Sequence, residues 1–396
     1  SENPEYDAIF ARIAYSDTIV SISAGNAATS GQGNLPGTNL NPTTNPDSST
    51  ISSPSTYRNA TSVASAENRQ IFAKYISVDG TDWAYTEAKG LNVVFSEVMA
   101  GEEKEFTLVG GFGEAEEFAK VDTTGKIAVV CRGGLSFGQK LANAEAAGAI
   151  GLVVYNNEPG LITMQMTDES GNLIEGVSGN VPAILADQGI YEVMKNASQK
   201  VLTASLEAGP AVNPEGGQIS TFSSWGCGAD LRLLPDITGI GGNVYSSVDG
   251  GGYETMSGTS MSAPQIAGLA ALTFQYLHQQ YPHMKDSEMR IIAGSLLMST
   301  ATPIIDTESQ VEASPRQQGA GLANVKDAMD SAAYLVAAGT SYAKAELGDD
   351  PDRNGTYEFA VDIRNFSSED KTYTVSGSLL TEDYVTIDDV EYMAGY

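Results

Sequence analysis

The residue best placed for nucleophilic chemistry is Ser260. It sits in Met256-Ser257-Gly258-Thr259-Ser260-Met261-Ser262-Ala263-Pro264, where a glycine-containing turn meets the run Gln265-Ile266-Ala267-Gly268-Leu269-Ala270-Ala271-Leu272-Thr273-Phe274. That run carries no charge, which predicts a helix buried on nearly every side and a serine held rigidly at its start. Pro264 falls early enough to be tolerated in a first turn. The free N–H groups and positive dipole end of the helix then lie beside Ser260, where developing negative charge is favoured. A serine hydroxyl is a weak nucleophile alone, so acyl transfer also requires a base and a set of oxyanion donors.

The elements that position this serine begin upstream. Asn3 reads as a helix N-cap before Pro4 and Glu5, with Ile9, Phe10 and Ile13 on one face and an end near Ser16. Thr18-Ile19-Val20-Ser21-Ile22-Ser23-Ala24 has the character of a short buried parallel strand and stops at Gly25-Asn26. Residues 27–53 read as an exposed loop of small and polar residues. Within it Leu35-Pro36-Gly37-Thr38 resembles a cell-wall sorting signal, but no apolar segment and basic tail follow, so it too reads as loop. Ala60-Thr61-Ser62-Val63-Ala64-Ser65-Ala66 is a second small-residue strand, and the succession is that of an α/β protein.

Gly258-Thr259-Ser260-Met261-Ser262-Ala263-Pro264 resembles the nucleophile signature of the subtilisin-like serine proteases, and Ser23-Ala24-Gly25-Asn26 resembles the segment that carries their oxyanion-hole asparagine. The resemblance implies a subtilisin-like doubly wound parallel sheet. It assigns Ser260 as nucleophile, Asn26 as oxyanion donor, Thr259 and Gly258 as support for the turn, and Ala24 and Gly25 as substrate-binding positions.

From about residue 86 to 208 the composition turns acidic and a self-contained α/β pattern appears. Strands are expected over 125–134, 150–155 and from 181, with Phe137, Leu141, Ala144 and Gly148 as a helical stripe between the first two. This pattern is similar to the protease-associated domain inserted in the large cell-envelope subtilisin-like proteases of Gram-positive bacteria, where it would select substrate. The catalytic pattern, expected over 1–85 and 209–338, resumes at Ile219-Ser220-Thr221-Phe222-Ser223-Ser224-Trp225-Gly226 and Leu234-Pro235-Asp236-Ile237-Thr238. Two departures follow: Gly239-Ile240-Gly241 stands where the family usually has Ala-Pro-Gly, and Gln265-Ile266 where it has His-Val. Residues 325–338 are expected to form a closing helix. Residues 339–396, with period-two strands at 357–363 and 371–375, resemble the start of a fibronectin-III-like β-sandwich.

The balance of 21 Lys+Arg against 50 Asp+Glu gives −29, which argues against nucleic-acid or anionic-membrane partners and agrees with a secreted protein; the resemblance implies an extracellular, secreted or cell-wall-attached enzyme whose substrate is protein or peptide. No apolar stretch long enough to span a membrane is present. Cys131 and Cys227 fall in different expected domains, so a disulfide is not expected. No cofactor is required. The resemblance allows calcium, but the acids are too dispersed to name ligands, so no metal residue is assigned.

The strongest inference comes from histidine. The chain has only His278 and His283, both far along the helix that starts at Ser260. At 1.5 Å rise per residue His278 is about 27 Å away, beyond any proton transfer. In the resembled family the Asp and His segments precede the Ser-Ala-Gly-Asn strand. The expectation is therefore a serine endopeptidase divided between two polypeptides, with an upstream fragment of the same precursor supplying Asp and His after a nick at or near Ser1. The competing expectation is a non-catalytic binding or adhesion fragment in which the serine is a relic.

Overall fold

The computed structural model describes residues 4–28, 41–44, 49–157, 160–168, 170–228, 230–307, 309–348, 350–374, 376–381, 384–387 and 389–393. The Asn3 cap and Leu35-Pro36-Gly37-Thr38 lie outside them. The chain forms two compact units, Ser1–Glu67 with Gly217–Tyr396, and Asn68–Gly216.

In chain order the elements are α1 (Pro4–Ile13), β1 (Ser21–Ser23), β2 (Asn41–Pro42), β3 (Thr61–Glu67), β4 (Gln70–Ala73), β5 (Tyr75–Val78), β6 (Thr81–Glu87), α2 (Phe95–Met99), β7 (Lys104–Leu108), α3 (Ala115–Phe118), β8 (Ile127–Cys131), α4 (Phe137–Ala146), β9 (Gly151–Tyr155), β10 (Ala183–Ala186), α5 (Ile190–Asn196), β11 (Val201–Ala204) and β12 (Gly209–Val212). The chain continues with β13 (Ile237–Gly242), β14 (Val244–Ser247), β15 (Tyr253–Met256), α6 (Thr259–Gln280), α7 (Asp286–Ser299), α8 (Pro315–Gln318), α9 (Val325–Asp330), β16 (Ala333–Ala337), β17 (Val361–Asn365), β18 (Tyr384–Ile387) and β19 (Val390–Met393).

In the first unit β1, β3 and β13 form a parallel sheet in that order, with Ser21 opposite Thr61 and Ile237 opposite Val63. Small residues make it possible: Ser62, Val63, Ala64, Ser65 and Ala66 of β3 are all fully buried, so α6 lies close against the strands. Val63 and Ile237 share a core with Ile266 and Ala270 of α6, Leu296 of α7 and Val336 of β16. The outer edge of β13 is covered, since the Thr238 N–H donates to Gly321 and its carbonyl accepts from Ala323. Among the described residues no strand pairs with the outer edge of β1, whose three residues are only half-buried.

Several expectations change here. The domain boundaries fall at 67/68 and 216/217 rather than 85/86 and 208/209, because β4, β5 and β6 pair with β11 and β12 inside the second unit. Residues 325–338 are not one helix. Asn324 caps α9, and Ser331 then turns the chain through hydrogen bonds with both backbone groups of Ala333, starting a strand whose residues Tyr334 and Val336 face the core. Strand pairing begins at Val361 rather than 357, residues 371–374 lie in no strand, and Val375 is outside the described residues. α1 buries no residue, although Phe10 stacks on Tyr57 at 4.9 Å.

In the second unit the order β10-β9-β8-β7-β11-β5-β6 closes on itself because β6 also pairs antiparallel with β10. Ile127 and Val129 of β8 face one core and Ala128 and Val130 the other, so this strand is buried on both faces, as its unbroken apolar sequence requires. Cys131 and Cys227 are not joined in a disulfide.

Candidate active site

Ser260 is the second residue of α6, exposed at its N-terminal end. Gly258 precedes the helix in an extended conformation and its N–H donates to Gly241 across 2.8 Å. Ser260 is thereby set at the carboxyl end of the parallel strands, beside Asn26, which follows β1. A Cβ at position 258 would lie 3.2 Å from Asn26 Nδ2, so glycine leaves that amide its place.

The orientation of Asn26 follows from chemistry. The Thr259 N–H, which can only donate, lies 3.0 Å from Asn26 Oδ1, and the Thr259 hydroxyl donates to the same oxygen at 2.9 Å. Oδ1 is thus committed to Thr259 and the Nδ2 amide hydrogens are turned outward beside the nucleophile. The Ser260 N–H is itself a first-turn donor with no intrahelical acceptor. Together they form a pair of fixed donors for an oxyanion, reinforced by the helix dipole.

Ala24 and Gly25 brace the end of β1 through their backbone groups. The Ala24 N–H donates to Val63 and its carbonyl accepts from Ser52; the Gly25 carbonyl accepts from Ser224 and its N–H donates to Thr259 Oγ1 at 3.1 Å. All four backbone groups are used inside the protein, and Ala24 is fully buried. Gly25 is required, since at φ 117 a Cβ would overlap the Ser52 hydroxyl at 2.3 Å. Ser52 and Ser224, whose Oγ also accepts the Ala27 N–H, were not singled out by sequence. Ser224 lies within the Ile219–Gly226 segment where the catalytic pattern resumes, but nothing in the local sequence says that it meets Gly25.

α6 differs from expectation in two ways. Pro264 is its sixth residue, so the Ser260 carbonyl lacks the N–H that would bond it one turn on. And the helix is not buried all round: Thr259, Ser262, Ala263, Ile266, Ala270, Thr273 and Leu277 are buried, while Pro264, Gln265, Ala267, Gly268, Ala271 and Leu272 are exposed, because the described chain packs on only one side of it. The two sequence departures meet here. The Ile240 N–H points at Gln265 Oε1 across 2.5 Å, so the residue standing in place of proline brings a donor and the residue standing in place of histidine accepts from it.

His278 lies in the last turn of α6, 3.4 Å from Asp286, and does not reach Ser260. Among the described residues no group of three or more His, Cys, Asp or Glu gathers to hold a metal ion.

The Peptidase_S8 subtilase family model matches residues 2–321. The chain belongs to the subtilase family. It is 34% identical over 263 residues to a C5a peptidase of Streptococcus pyogenes serotype M6, covering 66% of this chain and 21% of that protein. It is 33% identical over 392 residues to a PII-type proteinase of Lacticaseibacillus paracasei and 34% over 394 residues to a PI-type proteinase of Lactococcus lactis subsp. cremoris, each match covering 95% of this chain and 20% of the relative. The subtilase chain thus spans about a fifth of the length of the curated relatives it matches.

Proposed function

We propose that this subtilase chain supplies the nucleophile and oxyanion hole of a secreted or cell-wall-attached serine endopeptidase, while an upstream fragment of the same precursor supplies the aspartate and histidine. The observation that carries this reading is the fixing of Asn26 Oδ1 by Thr259, which leaves Nδ2 beside Ser260 with no other task. In the reaction Ser260 Oγ attacks the scissile carbonyl and passes its proton to the incoming histidine. The oxyanion forms between Asn26 Nδ2 and the Ser260 N–H, the amine leaves with the histidine's proton, and water releases the acyl group. The Asn68–Gly216 unit acts as a protease-associated domain that selects protein or peptide substrate, and residues 339–396 begin a fibronectin-III-like domain. No helix among the described residues is long and apolar enough to cross a membrane.

The test is labelling with a fluorophosphonate in the presence of the upstream fragment. The reading predicts that Ser260 is labelled and that Ser260→Ala abolishes both label and peptide hydrolysis. Absence of label in that assembled preparation would show a non-catalytic binding fragment instead.

A further inference from the structure

A second polar cavity lies at the opposite end of the three parallel strands from Ser260. It has a volume of about 170 Å³ and is bounded by the residues just before β1, β3 and β13, by one face of α7 and by the segment 341–346. Asn26 follows β1 whereas Val20, which lines this cavity, precedes it, so the cavity and the nucleophile are separated by the length of the strands.

The charges of this cavity do not cancel. Arg58 pairs with Glu346 at 3.2 Å, Arg232 with Asp230 at 2.6 Å and Lys344 with Asp236, and Arg232, Lys344 and Asp236 are nearly buried. The fourth cation, Arg290 of α7, has no carboxylate partner among the described residues. Its Nη2 donates to the Ala14 carbonyl at 3.2 Å, and its Nε is buried without any hydrogen-bond partner. The guanidinium is partly buried, and that burial pulls its pKa down. The wall beside it is aliphatic, formed by Ile19, Val20, Ile291 and Met298, with Gly294 opening the face of α7.

We propose that this cavity binds a short aliphatic carboxylate, its carboxylate paired with Arg290 and its hydrocarbon tail against Ile19, Val20, Ile291 and Met298. One unmatched cation calls for a monoanion. Asp236 and Glu346 in the same lining disfavour a doubly charged phosphate. The carboxylate comes either from a free small acid or from an acidic side chain of the upstream fragment, and the experiment separates the two.

Sodium butyrate is titrated into the full chain, with and without the upstream fragment, and binding is followed by calorimetry and by the unfolding midpoint, using sodium phosphate and butylammonium as controls. The expected result is saturable butyrate binding that raises the midpoint. Arg290→Met should weaken it at least tenfold, Arg290→Lys less, and butylammonium should not bind. Should Arg290→Met fail to fold, Gly294→Leu serves instead. A Cβ at that helical position meets no atom within 4 Å, so leucine is tolerated by the fold and fills the cavity, and butyrate binding should be lost. Butyrate that binds the chain alone and is expelled by the fragment identifies a side-chain carboxylate as the natural occupant; binding in both states identifies a free acid. Phosphate binding as tightly as butyrate, butyrate binding unaltered by Arg290→Met or Gly294→Leu, or no saturable binding in either state would overturn the proposal. None of these readouts uses proteolysis, so failure here leaves the endopeptidase reading standing, and the converse holds.

Discussion

The two units solve the problem of the sheet edge in opposite ways. In Asn68–Gly216 the strands β5 to β11 return on themselves through the pairing of β6 with β10, so that circuit presents no open edge. The parallel strands β8 and β9 are buried on both faces between two apolar cores. In the other unit β1 pairs on one side only among the described residues, and α6 turns Ala267, Gly268, Ala271 and Leu272 outward. An open parallel edge beside an exposed apolar helix face is an unstable surface in water and a template for association. The Asn68–Gly216 circuit is closed by its own strands, whereas the unit that carries Ser260 leaves the outer edge of β1 unpaired among the described residues.

The largest expected effect breaks the comparison at that point. The chain expressed alone should hydrolyse no peptide and should associate at its open edge, whereas Asn68–Gly216 expressed alone should be monodisperse and unfold cooperatively. Adding an upstream fragment that bears the Asp and His should restore both solubility and activity. Size-exclusion chromatography and a peptidase assay decide it, and a soluble monomer that cleaves peptides without any addition would sink the divided-domain reading.

Within the assembled site the next effect belongs to Asn26. Asn26→Ala should lower kcat by about 10²–10³ with little change in KM, a magnitude taken from a single oxyanion donor in subtilisin itself rather than from this geometry. Thr259→Val removes the hydroxyl that bonds both Asn26 Oδ1 and the Gly25 N–H but keeps its own N–H on Oδ1. The loss in kcat should therefore be smaller, about tenfold, corresponding to about 1.4 kcal/mol. No loss from Thr259→Val would mean that Asn26 is oriented by something other than the Thr259 hydroxyl, and a loss equal to that of Asn26→Ala would mean that the hydroxyl alone holds it.

This ordering also explains what was legible in the sequence. Ser260 and Asn26 could be found because a turn glycine, a nucleophile and an apolar helix are contiguous, and a short strand ending in Gly-Asn is local too. The inserted unit's β8, α4 and β9 were legible for the same reason, each carrying a run long enough to show its period. The boundary at Glu67 was not, because β4 to β6 join the inserted unit through pairings with β10, β11 and β12, far along the chain. Residues 333–337 deceived because Ala-Tyr-Leu-Val-Ala continues the apolar content of α9, and only β17 distinguishes a strand from another helical turn. Burial around α6 was overestimated because absence of charge was taken as evidence of neighbours on every side.

A smaller effect tests the closed unit. Lys140 is fully buried, with its ammonium donating to the Phe112 and Gly133 carbonyls. Lys140→Met fills similar volume but leaves the Phe112 carbonyl without this donor and the Gly133 carbonyl with only the Leu135 N–H, and should cost about 1–3 kcal/mol of stability in urea unfolding of Asn68–Gly216. Lys195→Met breaks an exposed i,i+3 pair with Glu192 and an ammonium contact with the Tyr191 ring, and should cost less than about 1 kcal/mol. Similar losses would show that Lys140 is not holding its turn.

The smallest effect concerns the two departures that meet beside the nucleophile helix. Replacing Gln265 with leucine removes the acceptor of the Ile240 N–H. Because this contact is near the surface, water replaces part of what is lost, and the cost should be about 0.5–1.5 kcal/mol. Ile240→Pro removes the donor instead. Residues 237–240 and Gly242 of β13 pair with β3, and the Ile240 N–H is directed away from that strand toward Gln265, so proline deletes no pairing within the sheet. The two changes should therefore not add: once Ile240 is proline, Gln265→Leu should cost almost nothing, and a double-mutant cycle in chemical unfolding should return a coupling close to the whole single-variant loss. A coupling near zero would mean that Gln265 and Ile240 depart from the family pattern independently, with their contact contributing nothing measurable to how β13 holds the start of α6.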